Sequence, residues 1–367
     1  MRILHVINSL CIGGAEKLIV DLLPLQIESG HCVELLLLNG EKSPFKEQLE
    51  KIGIKIHTLG MYNNIYNPLL LFKIGRYFKD YDIIHTHLFP TQYWVAIAKL
   101  FFPSKCKFIT TEHAPHNRRR DIFMFRYLDS FIYNRYDKVV CISNDSMQRL
   151  CSFLSNFKKD RFAVVANGVN LDHLKNGIPY TKNEFIGISE NCKLVLMVAG
   201  FKYPKDQKTV IEAIALMPEE YHVAFIGNGD MSECILLTQK LHLEKRVHFC
   251  GLRTDIPNVL KTGDIIVLAS HYEGLSLSCI EGMSVGKPFV ASDVNGLREI
   301  VSGAGGLFED GNSHQLANLI VNIMTDGELY DLMAEKCVNR AMEYGIKGTL
   351  EEYEKIYREL VYLNAKI

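Results

Sequence analysis

Two glutamates eight residues apart, Glu273 and Glu281, flank a loop of small residues, Gly274-Leu275-Ser276, that runs into a stretch with helical apolar spacing. A loop entering a helix N-terminus presents unpaired backbone N–H groups and the positive end of the helix dipole, and both favour a phosphate. A carboxylate about two turns inside the helix cannot favour a diphosphate electrostatically, so Glu281 is suited instead to accept hydrogen bonds from a pair of sugar hydroxyls. A phosphate cradle beside a hydroxyl acceptor describes a nucleotide-sugar site. The same pair of glutamates would also fit a plain surface pair, and the surrounding string has to decide.

That string reads as strand, loop, helix, strand, turn. Asp264 to Ser270 is a short apolar run rich in Ile and Val, the pattern of a strand buried on both faces of a parallel sheet. Leu277, Ile280, Met283 and Val285 set a short helix that Gly286 and Pro288 end. Phe289 to Ser292 is a second strand, followed by an Asn295-Gly296 turn. The whole segment, EGLSLSCIEGMSVGKPFVASDVNGLREIV, has Gly-Lys-Pro after its helix and Asn-Gly before a further Glu. It resembles the Glu-x7-Glu signature of retaining GT-B glycosyltransferases, the group 1 or family 4 class.

Upstream, Arg2 to Asn8 reads as a buried strand, with Gly13-Gly14 at the joint to a helix over Lys17 to Glu28. A glycine pair there is first of all a tight turn. The Gly-Gly-Ala-Glu string is similar to the family's N-terminal loop, which implies that Gly14 approaches the donor phosphate and the acceptor. Strands at Cys32 to Leu38 and Lys55 to Leu59, with helical stretches at Pro44 to Ile52 and Pro68 to Lys79, give the alternation of a helix-wrapped parallel sheet. Asp82 to His87 is a further strand whose His85 and His87 share one side. With His113 they could form a zinc trio, but no carboxylate or cysteine spacing supports one. Histidines lining a cleft at the strand's carboxyl end are the more economical account, and His87 is a candidate acceptor contact.

His113 lies just past the strand Phe108 to Glu112, where open α/β sheets place ligand groups. Thr111-Glu112-His113 resembles the family motif whose histidine hydrogen-bonds the transferred sugar. The basic run His116 to Arg120 precedes a helix carrying Phe123, Phe125, Tyr127, Phe131 and Tyr133. Two readings stand: a solvated charged face beside core aromatics, or a surface for an anionic lipid-linked acceptor at a membrane, in which Arg118, Arg119 and Arg120 make the contact. Asn167-Gly168-Val169 resembles the turn that ends the family's first domain.

Asn170 to Asn191 is polar, contains Gly177, Pro179 and Gly187, and has no periodicity, as expected of an interdomain linker. Lys193 to Ala199 starts a second sheet. Val198 to Ala213 resembles the family's diphosphate clamp, an Arg just after the strand and a Lys further on: Lys205 matches the Lys, while Gly200 stands where the Arg is expected. Charge grows on a leaving diphosphate, so losing one cation costs a few kcal/mol on the scale of an oxyanion donor unless another group replaces it. Lys202 is either that replacement or a solvent-facing loop residue. Gly227-Asn228-Gly229 ends the strand Tyr221 to Gly227 and lacks the third glycine of a dinucleotide fingerprint. Gly227 is carried as a donor-site candidate, and Leu252 and Arg253 lie where the family's nucleobase loop is.

Length bounds the rest. With 367 residues, two domains are expected. Lys plus Arg, 41, nearly cancels Asp plus Glu, 42, so no global field argues for nucleic acid. The ten cysteines show no Cys-x-x-Cys or metal-ligand spacing and read as reduced packing residues of a cytosolic protein. Met1 to Asn8 is too short an apolar run for a signal peptide, and the most apolar stretch, Tyr93 to Phe102, is interrupted by Lys99. A cytoplasmic location, with peripheral membrane attachment at most, is expected.

The resemblance spans essentially the whole chain and implies an α/β, GT-B fold: two Rossmann-like domains with parallel sheets facing across a cleft. The expected division is residues 1–170 for the acceptor domain, 171–190 for a linker, 191–345 for the donor domain and 346–367 for a final helix returning to the first domain. It implies a nucleotide-diphosphate-sugar donor, UDP before GDP, a glycan or lipid-linked glycan acceptor in polysaccharide synthesis, retention of configuration and no metal cofactor. Glu281 would hold the ribose, Gly274, Leu275, Ser276 and Lys205 the diphosphate, and Glu273 and His113 the sugar. Asn295 and Gly296 would close the site through their backbone, and Glu273 is not assigned as a covalent nucleophile. An epimerase or phosphorylase on the same architecture, or a non-catalytic sugar-nucleotide-binding subunit, are the rival readings.

Overall fold

The computed structural model describes residues 1–11, 13–61, 64–113, 122–155 and 158–362. The chain divides into two compact units, Met1–Gly168 with Ile346–Ile367, and Val169–Gly345.

The first unit is built on a parallel sheet of β1 (Arg2–Ile7), β2 (Cys32–Leu37), β3 (Ile56–Thr58), β4 (Ile83–His87), β5 (Lys107–Glu112), β6 (Lys138–Cys141) and β7 (Phe162–Val164). Its order is β3-β2-β1-β4-β5-β6-β7, so the chain reverses direction across the sheet between β1 and β4. Alternation along the strands sorts side chains to two cores, as the period of two requires. Leu4, Val6, Leu36, Ile84, Phe108 and Val139 enter one core. Ile3, Ile7, Leu35, Leu37, Ile83, Ile109 and Val140 enter the other. Each full burial of such a side chain contributes roughly 1.5–3 kcal/mol.

The final helix, Ile346–Tyr362, closes the second of these cores with Tyr353, Ile356, Tyr357 and Leu360. Gly168 explains itself here: a Cβ would stand 2.5 Å from the Ile346 Cα, so only glycine lets the two segments approach. Thr349 Oγ1 donates to the Ala166 carbonyl at 2.9 Å.

The second unit has β8 (Lys193–Val198), β9 (Tyr221–Ile226), β10 (Val247–Phe249), β11 (Ile265–Leu268), β12 (Phe289–Ser292) and β13 (Gly306–Phe308), again parallel, in the order β10-β9-β8-β11-β12-β13. Both sheets therefore have a reversal of strand order, the place where open α/β sheets hold ligands at the carboxyl ends of their strands.

Two expectations change. Residues 171–190 are not a free linker: Leu171–Lys175 and Lys182–Ile186 are short helices of the second unit, and the segment between them is pinned there. Ile178 N–H donates to Asn258 Oδ1 at 2.9 Å, Tyr180 N–H to Thr262 Oγ1 at 3.0 Å, and Tyr180 OH to Asp255 at 2.7 Å. Polar composition disguised these contacts, and the apolar residues that pack on the core, Leu171, Leu174, Phe185 and Ile186, are too scattered to show a period. In the aromatic helix Phe123–Tyr133 only part of the set is core: Tyr133 is fully buried, while Met124, Tyr127, Leu128 and Phe131 form an exposed stripe.

Candidate functional site

In the second unit most candidate residues lie on segments that follow β8, β11 and β12, with Gly227 after β9 and Leu252 and Arg253 after β10. Lys205 is placed by main-chain pairing. Its N–H donates to the Lys202 carbonyl at 2.9 Å, it bridges Ser270 in antiparallel fashion, and Asp206 N–H donates to the Ala269 carbonyl at 3.1 Å. Its ammonium then pairs with the Glu273 carboxylate, both side chains being mostly buried.

The β12 loop closes on the same segment. Glu273 N–H donates to the Asn295 carbonyl at 3.3 Å. Gly296 has φ +84°, and a Cβ there would lie 2.2 Å from the Gly274 carbonyl oxygen and 2.4 Å from that of Glu273. Glycine is thus required twice over, by backbone conformation and by the close approach. The β11 loop continues into the helix Leu277–Met283, whose N-cap Ser276 makes no side-chain capping bond and instead lies 3.3 Å, Oγ to Oγ, from Ser278. Leu275 packs against the core, and Glu281 sits half-buried on the helix.

Gly200 stands where the clamp's Arg is expected, and a Cβ there would make only ordinary contacts. A Cβ there would meet the Asn228 carbonyl oxygen at 3.4 Å and the Lys202 side-chain Cε at 4.0 Å. The Lys202 side chain therefore passes alongside the direction a side chain at Gly200 would take. Gly227 is needed for packing between loops, since a Cβ would stand 2.1 Å from the Ala199 carbonyl oxygen.

Leu252 is exposed at the end of the β10 loop. Arg253 is committed elsewhere: its Nε donates to Asp255 at 2.8 Å and its guanidinium lies over the rings of Tyr180 and Phe185, 5.4 and 5.5 Å from their centroids. Hydrogen bonding from Arg253, against the opposing effect of burial, holds the Asp255 carboxyl down at about 2. Tyr180, Phe185 and Asp255 are partners that the sequence did not single out, because they sit in the polar segment read as a linker and in the loop beyond it.

In the first unit His5, His87 and His113 form one buried chain, with His85 packed beside it. His5 on β1 and His85 on β4 face each other in register. His5 Nε2 lies 2.9 Å from Gln26 Oε1, His5 Nδ1 lies 3.0 Å from His87 Nε2, and His87 Nδ1 lies 3.0 Å from His113 Nε2. His85 bridges Tyr357 OH at 2.7 Å and Thr111 Oγ1 at 2.8 Å. His5, His85 and His87 are fully buried.

Burial lowers the His5 and His113 pKa values to about 4 and those of His85 and His87 well below the ordinary range, so the rings are neutral. His87, expected to touch the acceptor, instead lies beneath His113 with both ring nitrogens taken. One nitrogen each of His5, His85 and His87 comes within 4.8 Å of the others, the spacing of a metal trio, yet hydrogen bonds occupy these nitrogens. His113 Nδ1 is different: it is buried and has no partner among the described residues. His5 and Gln26 went unmarked in the sequence because nothing local distinguishes them from core-strand and core-helix positions.

Gly14 opens the helix Gly14–Glu28 and is exposed, behind an extended Gly13 that offers no side-chain cap. Arg118, Arg119 and Arg120 lie outside the described residues.

Comparison with known proteins fits this architecture. The family model Glycosyltransferase Family 4 matches residues 12–173 and the model Glycosyl transferases group 1 matches residues 181–340. The chain is 23% identical, over 98% of its length and 97% of the relative's, to the Escherichia coli UDP-Gal:alpha-D-GlcNAc-diphosphoundecaprenol alpha-1,3-galactosyltransferase. It is 28% identical, over 46% of its length and 45% of the relative's, to the Campylobacter jejuni N,N'-diacetylbacillosaminyl-diphospho-undecaprenol alpha-1,3-N-acetylgalactosaminyltransferase. Among solved structures, Anabaena HepE in complex with UDP-glucose superimposes with a TM-score of 0.84 at 22% identity, covering 97% of this chain and 99% of that one. With one family model on each parallel-sheet unit and a GT-B neighbour matched over nearly its full length, the chain belongs to the group 1, family 4 glycosyltransferases and has their GT-B fold.

Proposed function

We propose that this glycosyltransferase moves a hexosyl or N-acetylhexosaminyl group from a UDP-sugar to a lipid-linked glycan, with retention of configuration and without a metal, in the assembly of a surface polysaccharide. The observation that carries the donor half is the Lys205–Glu273 pair on a loop that Gly296 holds closed. Lys205, with Lys202 beside the Gly200 gap, meets the diphosphate; the backbone of Gly274, Leu275 and Ser276 supports it; Glu281 accepts the ribose hydroxyls. Glu273 contacts the sugar once Lys205 turns to phosphate, and His113 accepts a hydrogen bond from a sugar hydroxyl.

Negative charge grows on the departing diphosphate, so cations placed where that charge appears lower the barrier more than they tighten ground-state binding. UDP is preferred as the nucleotide because a neighbour was solved with UDP-glucose and a relative uses UDP-Gal. A diphosphoundecaprenol-linked acceptor is preferred because two relatives carry it in their names. No helix among the described residues is long and apolar enough to cross a membrane. The exposed stripe Met124, Tyr127, Leu128 and Phe131 supports attachment of the first unit to the cytoplasmic membrane surface, where such an acceptor resides.

The test is a thermal-unfolding panel with UDP, GDP, ADP and CDP and their sugars, run on wild type and Glu281→Gln. A ligand at 100 times its Kd adds about 2.7 kcal/mol to the folded state. Stabilisation by uridine nucleotides that Glu281→Gln abolishes supports the reading; no stabilisation by any nucleotide sinks it. Retention and acceptor class are then read from the anomeric configuration of product formed on a diphosphoundecaprenol-linked N-acetylglucosamine, with and without chelator. Gly200 favours one second reading, a subunit that binds the donor without turnover, which predicts nucleotide binding but neither transfer nor slow donor hydrolysis.

A further inference from the structure

We propose that Gln26, His5 and His87 are positioning residues that fix the tautomer of His113, so that His113 Nδ1 stands as a bare lone pair built to accept a hydroxyl of the bound sugar. The nature of that hydroxyl rests on the function proposed above; the tautomer does not.

A neutral imidazole has one N–H and one acceptor nitrogen, so each imidazole contact in the chain must join a donor to an acceptor, and the direction set at one end propagates to the other. At the inner end Gln26 presents Oε1, an acceptor, to His5 Nε2 at 2.9 Å, while its Nε2 faces the Tyr357 hydroxyl at 3.4 Å. His5 Nε2 therefore carries the proton and His5 Nδ1 accepts. His87 Nε2 then donates to His5 at 3.0 Å, and His87 Nδ1 accepts from His113 Nε2, also at 3.0 Å. His113 Nδ1 is left unprotonated.

The outer end agrees independently. His113 Nδ1 is a buried nitrogen with no partner among the described residues. An unmet acceptor is better tolerated than an unmet N–H, so the orphan is a lone pair. Tyr357 completes the inner anchor by linking Gln26 to His85, which Thr111 holds from its other side. A side chain needed only for packing would not require three buried polar residues aligned behind it in one hydrogen-bonding direction. The arrangement makes His113 discriminate in favour of a ligand group that donates, as a hydroxyl does, and against one that only accepts.

The experiment uses the full chain labelled with ring nitrogen-15 histidine, with long-range proton–nitrogen correlation spectra and His113→Gln to identify the His113 signals. The expected result is the Nε2–H tautomer for His113 in the free protein, with an Nδ1 resonance that moves on addition of UDP-glucose and not with UDP alone. In Gln26→Leu, which leaves His113 and its neighbours intact, both tautomers should appear and KM for UDP-glucose should rise about tenfold with kcat less affected, the loss of one hydrogen bond. An Nδ1–H tautomer in wild type overturns the proposal. So does an unmoved Nδ1 resonance under conditions where UDP-glucose stabilises the fold. Should Gln26→Leu not fold, the wild-type spectra decide alone. Should UDP-glucose fail to bind, the UDP-sugar that stabilises the fold in the nucleotide panel replaces it, and the spectrum of the free protein still settles the tautomer.

Discussion

Lys205 and Glu273 neutralise each other across two loops, with side chains only 15% and 14% exposed. A pair this sheltered is costly to break on one side, because the remaining charge loses its partner. A diphosphate would take over the role of Glu273 toward Lys205, so the pair holds the ammonium in place before the donor arrives. Lys205→Met should lower kcat/KM roughly 10²–10³-fold, the scale of removing one transition-state charge donor. Glu273→Gln should keep nucleotide binding and lose transfer. Steady-state kinetics beside UDP titrations would separate the two, and a Lys205→Met enzyme with unchanged kcat/KM would remove Lys205 from the chemistry.

Gly296 admits no side chain. At φ +84°, with a Cβ 2.2 Å from the Gly274 carbonyl oxygen, alanine must push the Glu273–Gly274 backbone away. Gly296→Ala should cost about 1–3 kcal/mol of stability, the range for a non-glycine residue forced into a strained backbone region, and should abolish stabilisation by UDP. Chemical denaturation with and without UDP measures both effects. Unchanged UDP binding would show that the loop position is immaterial to the site.

Gly200 and Lys202 offer a rescue test. A Cβ at Gly200 would meet nothing closer than 3.4 Å, an ordinary contact, with Lys202 Cε 4.0 Å away. Lys202→Ala should weaken UDP-sugar turnover by about tenfold or more, and adding Gly200→Arg in the same chain should restore most of the loss, because a guanidinium reaches a diphosphate with bidentate geometry. Activity untouched by Lys202→Ala would make Lys202 the solvent-facing loop residue of the alternative reading.

The unequal legibility of these features has a physical cause. Strands such as Phe289–Ser292 and the Glu273–Glu281 loop were readable because local periodicity and glycine chemistry report directly on local backbone. The strand Gly306–Phe308 was not, being three residues long and opening on glycine. Residues 171–190 read as a linker because their anchors, Asn258, Thr262 and Asp255, lie far along the chain. His5 and Gln26 were invisible for the same reason: a hydrogen-bonded relay exists only after β1, β4 and the first helix are assembled.

The histidine chain also predicts how the first unit fails in acid. The folded pKa values of His5 and His113 are depressed by burial to about 4, below the ordinary 6.5, and burial likewise pushes those of His85 and His87 well below it. Between those values the unfolded chain binds more protons than the native one, so stability is full above about pH 6.5 and falls as pH drops toward 4. Each ring kept neutral contributes a slope of about 1.4 kcal/mol per pH unit in that window. Glu34 acts in a lower one. Burial opposes its ionisation, but hydrogen bonds from Tyr81, His57 and Lys55 outweigh it and hold the carboxyl at about 2, so its contribution persists down to pH 4.5 and is lost as pH falls through 2. The chain's one tryptophan, Trp94, lies in the first unit and reports on its unfolding. Urea midpoints followed by Trp94 fluorescence should drop steeply between pH 6.5 and 4 in wild type and less steeply in His5→Leu; equal slopes would show that His5 does not remain neutral in the folded protein.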